Sequence, residues 1–489
     1  MDSVNLAKLL SRAMSQNGRV LDAGDAEYQT TRQIDNGRIS HEPSLVVIPG
    51  DAQDVAEVVK ILRQEKESVR MTTKCGGHSA AGYCLNTGGV VLDLRLLNAL
   101  SFDRTSGVLK MGMGTRWNQA YDYMQGGQTG YVPVGGGCPG VGVGGFLLGG
   151  GYSFISRSYG LGCDQLQSLT MVMADGSTKK VGPNSKGADA DLFWACRGGG
   201  GGNFGIAVEC EIETKKPLTE EMLMGQIFFP FYRCEQIFDF YNNWVTKLPK
   251  EMAVYGFVGF QPDPRHGGAP ILMLRFTPVY NGSSTKGYEL LREMLALEPI
   301  ATQLYKMTIP EWERFIGAGT QVNGRSAYIR SLELPKMSLN ARAARVFMKN
   351  FARCPSQGTF LVWTHAGGAV SDVAADATAF VHRKALFVPE IKSIWDSSKP
   401  EQMRANVEWA YNFVEELGAV TGALGSYLNY IDPLLADWPK KYYGANYPRL
   451  EAIKKRCDPD DFFAFQQSVG SPFQPSTGMP LDLSPLRNT

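Results

Sequence analysis

Glycine density limits what this chain can become more than any other feature. Ten glycines fall between residues 135 and 151, and residues 128–156 carry no charge. A hydropathy window flags such a stretch as a membrane span. Glycine at this density, with Pro133 and Pro139 alongside, makes a spanning helix untenable. Closely spaced glycines instead present bare N–H groups to a phosphate or a polar ring edge. Within the stretch, GGGCPGVGVGG (135–145) places Cys138 between Gly137 and Pro139. Far upstream, RMTTKCGGHS (70–79) puts His78 directly after Gly76 and Gly77. Two nucleophiles, each on a loop with little bulk, are suited to holding one flat ligand from two sides. Gly140, Gly142 and Gly145 also match G-x-G-x-x-G, with Asp164 downstream. That fingerprint requires strand, turn and helix, and here Gly135–Pro139 stands where the strand belongs, so the match is set aside.

The chain has 489 residues, beyond one typical core, so more than one domain is expected. A net charge of +1 favours neither nucleic acid nor an anionic membrane as partner. Nine scattered Cys and five His, none at ligand spacing, argue against a disulfide scaffold or a metal site. The N-terminus reads as an amphipathic helix without the apolar core of a signal peptide. The expectation is a soluble protein, either cytoplasmic or the mature form of a secreted one.

Taken in order, 44–49 reads as a strand, 52–65 as a helix opened by Asp51, and 68–73 as the strand entering the His78 loop. Strands follow at 90–94 and 108–113, then a helix at 115–125 with Trp117, Ala120, Tyr121 and Met124 on one face. A strand at 166–173, a short helix at 189–195 and a strand ending near Thr214 complete this part. Beyond 215 the segments lengthen and become aromatic. Strands at 224–231, 253–261, 271–280, 359–368 and 384–395 are separated by helical patterns at 232–247, 286–296, 340–352 and 401–417. This reads as an antiparallel sheet backed by helices. The boundaries expected are 1–214, 215–446 and a returning C-terminal segment 447–489, whose Pro/Ser-rich end from 471 is extended or loose.

Five segments agree in order with one family: KCGGHS, LDLRLLN (92–98), GGGCPGVGVGG, DLFWACRGGGGGNFGI (191–206) and YYGANYPRL (442–450). The chain resembles the berberine bridge enzyme-like flavoproteins of the vanillyl-alcohol oxidase group. The resemblance implies an α+β fold, with a PCMH-type FAD-binding domain of two α/β subdomains beside the substrate domain. It implies FAD bound covalently at His78 (8α) and Cys138 (6-S). It also assigns Lys74, Gly76, Gly77, Ser79, Val141, Gly142, Gly144, Gly145, Tyr152, Gly205, Ile206 and Asn429 to the cofactor. Val141, three residues after the linking Cys, implies that O2 reoxidises the flavin, with H2O2 released.

SYLNYID (426–432) resembles the family's base motif and makes Tyr430 the candidate base. Read as a strand, it places Tyr427 and Asn429 on one face and Leu428 and Tyr430 on the other. A phenol with a pKa of about 10 is a poor base near neutrality, and lowering it by two units takes roughly 2.7 kcal/mol. The position aligned with the family's helper carboxylate holds Thr364, which cannot take over a proton. His365 is adjacent but on the opposite face of a regular strand, so it serves only if a bulge turns it. Ala80 stands where sugar-oxidising relatives carry an aromatic residue. The reading is an FAD oxidase taking hydride from a hydroxyl-bearing carbon, with the anomeric carbon of a mono- or disaccharide preferred. The alternatives are an allylic or benzylic alcohol oxidase, a ring-closing oxidase, and a non-redox pocket shaped by flavin.

Overall fold

A computed structural model describes residues 3–64, 69–317, 322 and 324–473. Most of the Pro/Ser-rich end, and the first residue of the expected 68–73 strand, lie outside the described residues. Three sheets organise the described residues. The first contains β1 (Arg19–Leu21), β2 (Leu45–Ile48), β3 (Met71–Lys74) and β4 (Val90–Asp93), in the order β1-β2-β4-β3. The pairs β2–β4 and β3–β4 are parallel. Every residue of LVVI and VVLD is buried, as parallel strands covered on both faces require. The helix Ala52–Gln64 buries Val55, Val58, Val59 and Leu62, and the Asp51 carboxylate accepts the Asp54 N–H at its start (2.9 Å).

The second sheet contains β5 (Leu100–Asp103), β6 (Val108–Gly112), β7 (Leu166–Val172), β8 (Thr178–Val181) and β9 (Ile206–Glu213), in the order β5-β6-β9-β7-β8, all antiparallel. Helix Trp117–Gly126 sets Trp117, Ala120, Tyr121 and Met124 into the core. The uncharged glycine stretch forms turns and the short helix Val143–Leu148. Among the described residues, no helix is long and apolar enough to cross a membrane.

The third sheet is antiparallel and seven-stranded: β10 (Met222–Pro230), β11 (Met252–Asp263), β12 (Gly267–Tyr280), β13 (Ala301–Met307), β14 (Ser326–Ser331), β15 (Phe360–His365) and β16 (Phe387–Trp395), in the order β13-β10-β12-β11-β15-β16-β14. Its two faces do different work. On β15, Leu361 and Trp363 join a core shared with helices Cys234–Trp244, Ala341–Phe351 and Met403–Thr421. Phe360, Val362 and Thr364 alternate with them and face a cleft. Among the elements that escape the sequence pattern are two strands of this sheet and a helix beside it. β13 is a half-exposed edge strand with polar residues, and β14 buries a charge, Arg330, held by Asp432 (2.7 Å) and Glu415 (3.1 Å). Helix Ile309–Gly317 sends Trp312 into the first core.

The expected strand over 426–432 is absent. Leu428–Tyr430 is instead a turn of 3-10 helix, with the Tyr430 N–H donating to the Tyr427 carbonyl (3.0 Å). Neighbouring contacts impose the turn. Ser331 holds the Tyr427 N–H (3.0 Å), and Asp432 is gripped by Arg330, Tyr328 and the Tyr442 hydroxyl. The tail then runs through helix Tyr447–Cys457 into the first core, where buried Lys454 bonds Asp458 (2.7 Å) and the Asn203 carbonyl (3.0 Å).

Trp363 packs flat against Gly256 on β11. A Cβ there would lie 1.8 Å from the indole Cζ2. Gly256→Ala is expected to destabilise the protein by about 1–3 kcal/mol through overpacking. The measurement is the denaturant midpoint; an unchanged midpoint would mean that the indole has room to move.

Candidate active site

The three sheets and the tail enclose a cleft of about 420 Å³, in the range of small-molecule sites. One wall is backbone. The turn after β3 and the glycine stretch touch at Gly76 and Gly142, where a Cβ on Gly76 would lie 2.3 Å from the Gly142 nitrogen. This contact brings the two nucleophiles together, with His78 Nε2 3.7 Å from Cys138 Sγ. His78 Nδ1 lies 3.2 Å from the Gly76 carbonyl. A carbonyl can only accept, so Nδ1 carries the hydrogen and the Nε2 lone pair is turned towards Cys138. Burial, partly opposed by Asp35, lowers the His78 pKa and keeps the ring neutral.

Gly77, Ser79, Val141, Gly144, Gly145, Tyr152, Gly205, Ile206 and Asn429 all line the same cleft. The backbone is bare where a cofactor needs close approach. At Gly145 an added Cβ would meet nothing within 4 Å, and at Gly201 only Leu148, at 3.5 Å. These openings and the paired nucleophiles fit a large planar cofactor with a polar tail. Lys74 does not line the cleft. It lies beneath the His78 loop, pairing with Asp93 (3.2 Å), because its strand position turns it inward.

The opposite wall is the third sheet. Tyr427 and Tyr430 meet edge to face (centroids 5.1 Å, 90° apart), and their hydroxyls are used differently. The Tyr427 oxygen accepts from the Gly151 N–H (2.8 Å) and the Asn429 amide (2.8 Å), which ties it to the glycine stretch. The Tyr430 hydroxyl instead faces the Glu390 carboxylate, with which it interacts electrostatically. Lys392, two residues along β16, pairs with Glu390 at 3.2 Å. Burial raises the Glu390 pKa, while Lys392 and Tyr430 partly offset it. Burial also disfavours charge on Lys392, but Glu390, Cys138 and Asp35 together hold its pKa above the ordinary value. Burial and the Glu390 charge push the Tyr430 phenol well up.

Two sequence expectations change here. Thr364 lines the cleft, but the carboxylate beside Tyr430 comes from the neighbouring strand, because Val362 and Glu390 are directly opposed across β15 and β16. His365 faces the other way. The register stays regular through Thr364–Val388 and His365–Phe387, so no bulge turns it. Its Nδ1 accepts the Val254 N–H (3.1 Å), its ring lies beside Phe387, and burial drives its pKa well down. Glu390 and Lys392 were the residues missed. Their signal was present: two charges at i and i+2 inside the otherwise apolar run FVPEIKSIW.

Comparison with known proteins agrees with this geometry. A family model described as an FAD binding domain matches residues 43–182, and one described as berberine and berberine like matches residues 426–470. YgaK, an uncharacterized FAD-linked oxidoreductase of Bacillus subtilis, is 28% identical over 462 residues, covering 92% of this chain and 96% of its own. The glucooligosaccharide oxidase of Sarocladium strictum is 28% identical over 464 residues, covering 89% and 88%. The solved BBE-like 1 of Physcomitrella patens shares the fold with a TM-score of 0.83 at 22% identity, over 95% of this chain and 98% of that one. Segments at both ends of the site match FAD-binding and berberine-like models, and these likenesses make the chain an FAD-linked oxidoreductase similar to the berberine bridge enzyme-like proteins.

Proposed function

We propose that the chain is an oxidase acting on a hydroxyl-bearing carbon, with FAD tethered through both His78 and Cys138. The observation that carries this reading is the Tyr430–Glu390–Lys392 chain, which faces the two nucleophiles across one cleft. FAD held by His78, Cys138 and the glycine loops would supply the hydride acceptor, with O2 as the terminal oxidant and H2O2 as its product.

The protein supplies the proton path. The substrate hydroxyl gives its proton to the Tyr430 oxygen as the C–H bond breaks, and Tyr430 passes its own proton to Glu390. No free phenolate is needed at rest, which suits a phenol whose pKa burial has raised. Lys392 favours the ionised form of Glu390 inside the protein, where an unpaired carboxylate would take up a proton. Asn429 and Gly151 hold Tyr427, and its ring supports Tyr430 edge-on.

An anomeric carbon of a mono- or disaccharide is the preferred substrate. The likeness to glucooligosaccharide oxidase supports it, as do the aromatic Tyr255 and Phe360 on the cleft wall. A benzylic or allylic alcohol is the second reading. It is favoured by the apolar patch that Ala80, Val322, Ile329 and Phe360 form beside Tyr430.

Tyr430→Phe is expected to slow anaerobic flavin reduction by a substrate such as cellobiose roughly 10²–10⁴-fold while the protein stays folded and yellow. An unchanged rate would remove Tyr430 from the proton path. Glu390 accepts only when ionised, so the rate falls as pH drops through its raised pKa and levels off above it. Glu390→Gln therefore abolishes that acid limb, and Lys392→Met moves it to higher pH. A pH–rate profile tests both, and an acid limb unmoved in Lys392→Met would contradict the role given to Lys392.

A further inference from the structure

The cleft-facing side of the third sheet carries a second polar group that the proton path does not use. Phe228, Arg275, Phe257, Val362 and Glu390 form one cross-strand row running β10, β12, β11, β15, β16. Directly opposed residues share a face. Arg275 therefore stands on the same face as Glu390, three strand spacings away.

Its side chain leans back towards the cleft, with the guanidinium 4.2 Å from the centre of the Phe257 ring. The charge thus lies over the strand two spacings from Glu390, roughly 10 Å along the sheet. Phe257 stacks on Phe360 (5.3 Å, 25°), and Lys392 Nζ lies 5.7 Å from the Phe360 ring. The row reads cation, aromatic pair, cation, and it ends beside the Tyr430–Glu390 pair.

Among the described residues no carboxylate forms an ion pair with Arg275. One nitrogen donates to the Gln261 side-chain oxygen (3.3 Å), while Arg275 Nε and Gln261 Nε2 are both buried without an acceptor. Burial alone pulls the guanidinium pKa down to about 10. Both residues are half-buried. A guanidinium without an ion-pair partner among the described residues, beside an aromatic floor, suits a carboxylate better than a neutral hydroxyl.

We propose that Arg275 and Gln261 form an anion subsite, and that the substrate carries a carboxylate about one sugar ring from the carbon that is oxidised. This rests on the oxidase reading above. In saccharide form, the substrate is a disaccharide with a uronic acid at its non-reducing end. The reducing sugar lies against the Tyr430–Glu390 pair, the inter-ring region crosses Phe360 and Phe257, and the carboxylate reaches Arg275.

The test compares cellobiose with its non-reducing-end uronic acid, glucuronosyl-(1→4)-glucose, in anaerobic flavin reduction by the holoenzyme. The acid is expected to half-saturate at a concentration roughly tenfold lower or better, the scale of one charged hydrogen-bonded contact. Arg275→Gln removes that preference and leaves the limiting rate with cellobiose unchanged, since Arg275 touches no reacting atom. Gln261→Leu, which keeps the cation, weakens the preference in part and guards against misfolding in the first variant. Equal half-saturation by the two sugars, or a preference that survives in Arg275→Gln, overturns the proposal. If neither sugar reduces the flavin, the saccharide reading fails, and the subsite is read by titrating glucuronate against the flavin absorption band. Binding in the wild type that is lost in Arg275→Gln supports it, and absence of binding overturns it.

Discussion

The architecture depends on one backbone contact, that between Gly76 and Gly142. A Cβ on Gly76 would lie 2.3 Å from the Gly142 nitrogen, and one on Gly142 would lie 2.4 Å from the Gly76 nitrogen. No side chain fits between the loops, so the contact is available only to glycine at both positions. It sets His78 against Cys138, and the strands and helices around it keep the two loops in register. Lys74 anchors the His78 loop from below through Asp93, while the Trp117 helix packs beneath the glycine stretch. The glycines give up side-chain packing, and neighbouring aromatics refill the space; Gly151 packs on Phe146 and Gly135 on Trp117.

The facing wall solves a different problem, that of burying charge. The alternation of a strand allows one sheet to carry an aromatic core on its helix side and a polar site on its cleft side. On β15 this separates Trp363 from Val362, and on β16 it separates Ile391 from Glu390 and Lys392. A lone buried carboxylate would be protonated. Lys392 and the Tyr430 hydroxyl counter that tendency, and the same contacts make Glu390 a suitable proton acceptor. Arg275, in the same row, has no such partner among the described residues, which sets it apart as a receptor.

Much of this was legible in the sequence, for physical reasons. Strands buried on both faces and amphipathic helices carry strong periodic signals, so β2, β3, β4 and the helices at 52–64 and 117–126 could be read directly, while the short, half-exposed β1 could not. Glycine clusters located the backbone wall because few other roles need so many glycines. The edge strand β13 and the Arg330-bearing strand β14 lacked an apolar pattern and were missed. The turn at Leu428–Tyr430 read as a strand because tyrosine favours strands, while tertiary bonds to Ser331 and Asp432 overrode that preference. Pairing between β15 and β16 cannot be deduced from either strand alone, and that pairing turns a neutral Thr364 position into a site with a carboxylate.

The central claim is that two distant loops hold one flavin covalently. Intact-mass measurement of the purified, fully denatured chain tests it most directly. The account predicts the mass of the polypeptide plus one FAD in the wild type, with the adduct retained in His78→Ala and in Cys138→Ala and lost when both are replaced. A denatured wild-type chain at the bare polypeptide mass would contradict it.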